Sequence, residues 1–147
     1  MRPLHPRVMA MVDGDVEGVG YANALVAAGA PNSGIIIKWP NGQMIEDIIG
    51  WIIDADAAVC LPAIQIVPPP NTVADLVARL KSDDRAANGL KKDTSSYEII
   101  AAAIGANPLC CDRARSLLNA ITDVASGIAN PRFSADPAAA SIKVFQP

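Results

Sequence analysis

Aromatic side chains are scarce, at 4% of the 147 residues, so any core must be aliphatic. Histidine occurs once, at His5 in a proline-rich start, which argues against histidine catalysis and a His-rich metal site. Cysteine occurs three times, and Cys110 and Cys111 are adjacent. With Cys60 they make a poor disulfide framework and lack metal-ligand spacing. A reduced, cytoplasmic setting is the simplest expectation. No apolar run reaches the roughly 18 residues needed to span a bilayer, so no membrane role is expected. Pro3, Pro6 and the acids after Val12 break any secretory leader. Positive charge is not in excess either: the net charge of −3 gives no general attraction to nucleic acid, and such binding must be local or metal-mediated. What the chain does have is a hydrophobic share of 51%, much of it alanine, at a length that suits one globular domain.

The pattern predicts an α/β fold. Residues 1–7 read as irregular, 8–12 as a short buried strand and 17–28 as a helix, with Val19, Ala22, Leu25 and Val26 at helical spacing and Gly29 as its stop. Asp15 suits the N-cap and Glu17 the first turn. A loop at 31–34 leads to a β-branched strand at 35–39, apolar enough to be buried on both faces. A turn at 40–42 then leads to a helix at 44–54. Pro62 and Pro68-Pro69-Pro70 mark a stiff connection, after which the pattern is helical. Helices are expected from a cap at Asn71 or Thr72 to about Lys81, from Ser95 or Ser96 to Ile104, and from Pro108 to Ala125. Leu117, Leu118, Ile121 and Val124 line the last one, and Gly127 ends it. The expected organisation is a partial α/β core at 1–61, a helical extension of the same domain at 62–129, and a frayed Pro/Ala-rich tail at 130–147 with at most a short edge strand at 142–145. A two-stranded parallel sheet is too small to stand alone, so further strands are expected from a partner chain or from a longer protein.

Chemistry concentrates in Val12-Asp13-Gly14-Asp15-Val16-Glu17-Gly18. Three acids alternate where a strand gives way to a helix. In open α/β sheets ligands bind at the carboxyl ends of the strands. Strand periodicity would point Asp13 and Asp15 the same way. Gathered carboxylates repel unless a cation sits among them, and hard divalent cations prefer oxygen ligands. Asp13, Asp15 and Glu17 are therefore candidate ligands for Mg²⁺ or Mn²⁺. The competing reading is a solvated turn whose acids serve the helix. Gly18 and Gly20 suit close helix–strand packing. Glu46 and Asp47 read first as dipole compensation in a helix's first turn. Lys38, at the end of its strand, is either a surface cation near the acids or a solvated strand end.

The strand, the Asp-Gly-Asp-x-Glu-Gly cluster and the Ala-rich helix after it resemble the second acidic motif of the Toprim domain. The segments Ile36-Ile37-Lys38-Trp39-Pro40-Asn41-Gly42 and Ile45-Glu46-Asp47-Ile48-Ile49-Gly50-Trp51-Ile52 are similar to those of OLD-family (overcoming lysogenization defect) ATP-dependent endonucleases. So is Leu90-Lys91-Lys92-Asp93 with Tyr97-Glu98, and the likeness spans roughly residues 8–127. The resemblance implies an incomplete Toprim-like, Rossmann-like parallel sheet and metal-dependent cleavage of DNA phosphodiesters. It implies Asp13 and Asp15 as metal ligands with Glu17 assisting, and Lys92 or Lys91 neutralising phosphate charge. Two parts of the family pattern have no match: the glutamate-bearing strand expected ahead of the acids, and a Gly-x-x-x-x-Gly-Lys-Ser/Thr nucleotide loop. The expectation is thus a C-terminal or split part of such a nuclease, with an ATPase-bearing partner or missing N-terminal part, and possible inactivity alone. The alternative is a non-catalytic assembly or regulatory module that needs a partner chain to complete its sheet.

Overall fold

A computed structural model of the chain describes residues 9–28 and 35–147. The expected positions of Val8, of the Gly29 helix stop and of the loop at 31–34 lie outside them. The described chain runs β1 (Met9–Val12), α1 (Val16–Ala27), β2 (Ile35–Lys38), α2 (Ile45–Ile53), α3 (Ala57–Ala63), α4 (Val73–Lys81), α5 (Thr94–Ala106), α6 (Pro108–Ala125), β3 (Phe133–Asp136) and β4 (Ala139–Phe145), with one 3₁₀ turn at Arg85–Ala87. The fold class is α/β, as expected. Two compact units divide it: Met1–Ile45 with Leu117–Pro147, and Glu46–Ser116.

The first unit holds a four-stranded sheet in the order β1-β2-β4-β3. β1, β2 and β4 are parallel, with Ala10 opposite Ile36 and Ile36 opposite Ile142, and β3 runs antiparallel to β4. Side chains alternate between the two faces. On one face Ala22 of α1 packs with Ile36 and Ile142, and Ala10, Val12, Leu25 and Val26 close around them. On the other face Ile37 is fully buried. There Phe145 meets Trp39 edge-on at 5.7 Å and Phe133 at 5.5 Å, a favourable aromatic geometry.

This sheet corrects two expectations. The tail is not frayed: its residues supply β3 and β4, the strand expected at 142–145 is part of β4 and lies inside the sheet instead of at its edge, and the two extra strands come from the chain itself. Alanine and proline mask the alternation of Ile142 and Val144 with Lys143 and Phe145 that serves the two faces. β1 in turn is not a buried strand. It borders the described sheet, and Met9 and Met11 are 45% and 46% exposed. An apolar run specifies extended chain, but not how many neighbours cover it.

Asp15 caps α1 as expected, its Oδ1 accepting from the Gly18 N–H at 2.7 Å. The helix starts so close to β1 that a Cβ on Gly18 would lie 2.0 Å from the Asp13 carbonyl oxygen. Gly20 was expected to pack equally closely, yet nothing lies within 4 Å of a Cβ there.

The second unit is helical. Its buried aliphatics include Ile48, Ile53, Ile64, Leu76, Leu80 and Ile100. Thr72 caps α4 through the Asp75 N–H at 3.0 Å. The Arg79 guanidinium ties the backbone together, donating to the carbonyls of Pro68 at 2.7 Å and Asn88 at 3.1 Å. Arg113 stacks 5.1 Å over Trp51 and donates to its carbonyl at 2.6 Å. The short α3, with Pro62 inside it, went unread because proline there signals a connection. α6 has the expected bounds, but Leu118 points to solvent, while Leu117, Ala120 and Val124 are buried. Cys60 and Cys110 are also buried, and desolvation, then the neighbouring Cys110 and Asp56, push the Cys60 thiol up to about 12.

Two outcomes follow. Gly18→Ala should destabilise the fold by about 1–3 kcal/mol, whereas Gly20→Ala should stabilise it by about 0.5–1 kcal/mol through helix propensity; urea denaturation reads both. Because thiolate is the reactive form, iodoacetamide at about pH 8 should modify the partly exposed Cys111 in the native protein, with Cys60 and Cys110 reacting only after unfolding.

Candidate functional site

The acidic loop joins β1 to α1 at the carboxyl end of β1. Its backbone is stitched to the turn after β2: the Gly14 N–H donates to the Gln43 carbonyl at 2.7 Å, and the Gly42 N–H donates to the Gly14 carbonyl at 2.7 Å. A Cβ on Gly14 would lie 1.8 Å from the Pro40 carbonyl oxygen, so only glycine allows this approach. Gly42 sits at φ +79°, the left-handed region that glycine adopts without strain.

Asp13, Asp15 and Glu17 all line one shallow depression of about 190 Å³, with Met11 and Tyr21 beside them. Strand periodicity does not place the acids, because β1 ends at Val12. Helix starts do. The Asp13 Oδ1 accepts from the Ile45 N–H at 3.2 Å, and the Asp15 Oδ1 accepts from Gly18. The two carboxylates therefore serve the first turns of two different helices. Among the described residues no group of three or more His, Cys, Asp or Glu is placed to hold one metal ion. One or two of these carboxylates could touch a hydrated Mg²⁺ or Mn²⁺, a common arrangement for a hard, strongly hydrated ion. They do not form a three-carboxylate cage.

Lys91 and Lys92 belong to the second unit, and the acids to the first. The Lys91 N–H donates to the Ser82 carbonyl at 3.0 Å, and Lys92 is exposed at φ 64° in the turn before α5. Local turn geometry accounts for both positions. Asp47 pairs with Lys81 at 2.6 Å. Glu46 departs from simple dipole compensation: it is 6% exposed, its Oε2 has no hydrogen-bond partner among the described residues, and the Tyr97 hydroxyl donates to its Oε1 at 3.4 Å. Burial, and then Glu46, push the Tyr97 hydroxyl above its usual range. Helical position forecasts an acid there but not its burial.

Lys38 is neither a surface cation nor a solvated strand end. It is 5% exposed, and its Nζ donates to Asp136 Oδ2 at 2.7 Å and Asn41 Oδ1 at 3.1 Å. The hydrogen bond from Lys38, with that from the Ala138 N–H, holds the Asp136 carboxyl below its usual range. No local signal marks Asp136, because it lies in the Pro/Ala-rich stretch at 130–147. The pair borders a larger cavity of about 570 Å³ that also reaches Asp15.

No protein-family model, curated protein or solved structure matches the chain. Among the described residues no helix is long and apolar enough to cross a membrane.

Lys38→Met should destabilise the protein by about 3 kcal/mol, because it leaves the partly buried Asp136 carboxylate without its cation, and adding Asp136→Leu should recover most of that loss. The folded pKa of Asp136 lies below its ordinary value of 3.8. Its stabilising contribution is therefore complete well above that value and is lost as pH falls through 3.8 and past the lowered folded value. Urea midpoints across that acid range should fall less steeply in the double variant.

Proposed function

We propose that the β1–α1 loop binds one hydrated Mg²⁺ or Mn²⁺, and that the chain is the acidic-motif part of a Toprim-type, OLD-like nuclease acting on DNA phosphodiesters. One observation carries this reading: Asp13, Asp15 and Glu17 share a single depression at the carboxyl end of a parallel strand. Asp13 and Asp15 would hold the ion and Glu17 would orient its water. When bound, such an ion polarises a phosphoryl oxygen or activates water for attack on phosphorus. The close approach at Gly14 holds the loop that carries the acids. With a net charge of −3, DNA contact would run through the ion and individual cations, and the resemblance assigns Lys92 or Lys91 to phosphate neutralisation. An ATPase-bearing partner and a cytoplasmic setting complete the proposal. A second reading is a non-catalytic assembly module, favoured by one observation: β1 borders the described sheet with Met9 and Met11 half-exposed.

Mn²⁺ titration followed by NMR tests the ion site. Paramagnetic broadening should begin at residues 13–18, and Asp13→Asn with Asp15→Asn should weaken binding about 10-fold or more. Asparagine accepts hydrogen bonds and caps helices as aspartate does, so the fold should survive. Nicking of supercoiled plasmid with Mn²⁺, against an Asp13→Ala control, tests catalysis. Broadening scattered over the surface would overturn the ion site. Nicking that is absent, or equal in the control, would leave the isolated chain without the activity and favour the assembly module.

A further inference from the structure

The cavity on the α1 face of the sheet shares only Asp15 with the proposed ion site. Its volume of about 570 Å³ falls in the range of small-molecule sites, roughly 300–1,000 Å³. Val19, Ala22 and Ile142 give it an apolar wall, and Val16 and Ala138 stand at its exposed rim. All of it lies within the first unit.

Its polar groups restrict what it can hold. An ammonium group has three N–H donors. Those of Lys38 meet two acceptors, Asp136 Oδ2 and Asn41 Oδ1, which leaves one donor for a ligand in the cavity that Lys38 lines. The Lys38 and Asp136 charges cancel, and Asp15 adds a negative charge to the lining. The cavity therefore disfavours an anion but suits a neutral acceptor. Asn41 spends its oxygen on Lys38 and keeps its amide N–H groups. Asn23 offers both a donor and an acceptor on the α1 side. Alternating donors and acceptors on the edge of a flat ring are what asparagine amides read in nucleobases, and the aliphatic wall suits the ring's face.

We propose that this cavity binds an uncharged nucleobase or nucleoside, its ring against Val19, Ala22 and Ile142 and a ring acceptor on Lys38. The site does not rest on the ion reading: of the three loop acids only Asp15 lines it, and Asp13 and Glu17 do not.

NMR titration of the full chain with adenosine, guanosine, cytidine and uridine, and in parallel with their 5′-monophosphates, tests this. At least one nucleoside should shift the Lys38 and Asn41 backbone amides and the Asn23 side-chain amide saturably. The matching monophosphate should bind more weakly. Ala138→Trp, at an exposed rim position, should block the mouth without disturbing the core and reduce affinity about tenfold or more, equivalent to about 1.4 kcal/mol. Asp13→Asn should leave nucleoside binding unchanged. No saturable shift with any nucleoside overturns the proposal. So does binding that survives Ala138→Trp, or a monophosphate that binds more tightly than its nucleoside.

Discussion

The close approach of two backbones at Gly14 governs the carboxyl end of the sheet. Paired hydrogen bonds link Gly14 to Gln43 and Gly42, at a distance that leaves no room for a Cβ. That contact joins the loop after β1 to the turn after β2. Both helix starts then fall within reach of one loop: Asp15 caps α1, and Asp13 accepts from Ile45. The alternation of acids and glycines in the sequence is thus first a solution to a packing problem. The glycines let backbones meet, and the acids satisfy the amide groups left over where helices begin.

The second constraint is the ion pair of buried Lys38 with partly buried Asp136. Burying two charges costs desolvation that their attraction only partly repays, so such a pair is weak evidence of stability in itself. Its consequence is better sought in specificity. Asp136 ends β3, and the hairpin to β4 carries a register irregularity beside it, between Ala135 and Asp136. A one-residue slip would carry Asp136 away from Lys38 and leave the buried lysine unpaired. The pair therefore penalises alternative registers of a tail whose alanines and prolines discriminate poorly between them.

Much of this was legible in the chain. The β-branched run at β2, the Asp15 and Thr72 caps, and the span of α6 follow from local rules that act within a few residues. What stayed hidden depends on partners distant in sequence. The burial of Lys38 needs Asp136, 98 positions away, and the interior place of β4 needs β2. Edge exposure of Met9 and Met11 likewise depends on which strands lie alongside, which no local pattern encodes. α3 was lost for the opposite reason, because Pro62 is a strong local signal that tertiary packing overrides. At the acids, residue type, position and the Asp15 cap are legible, but strand alternation does not orient Asp13, which belongs instead to the helix start at Ile45.

That reassignment bears on how the loop would treat a cation. A carboxylate has about four lone-pair sites and a cap uses one of them, so capping and ion binding are compatible in geometry. They compete in charge. Each helix start presents roughly half a positive charge to its acid, which offsets part of the field a divalent ion would feel. An ion in this loop, on the proposed reading, is held loosely and through water. Tighter binding would require the carboxylates to turn from the helix starts, and the backbone contact at Gly14 opposes that by fixing where those starts lie. The same glycine that gathers the acids into one depression thereby limits how firmly they can close on what enters it.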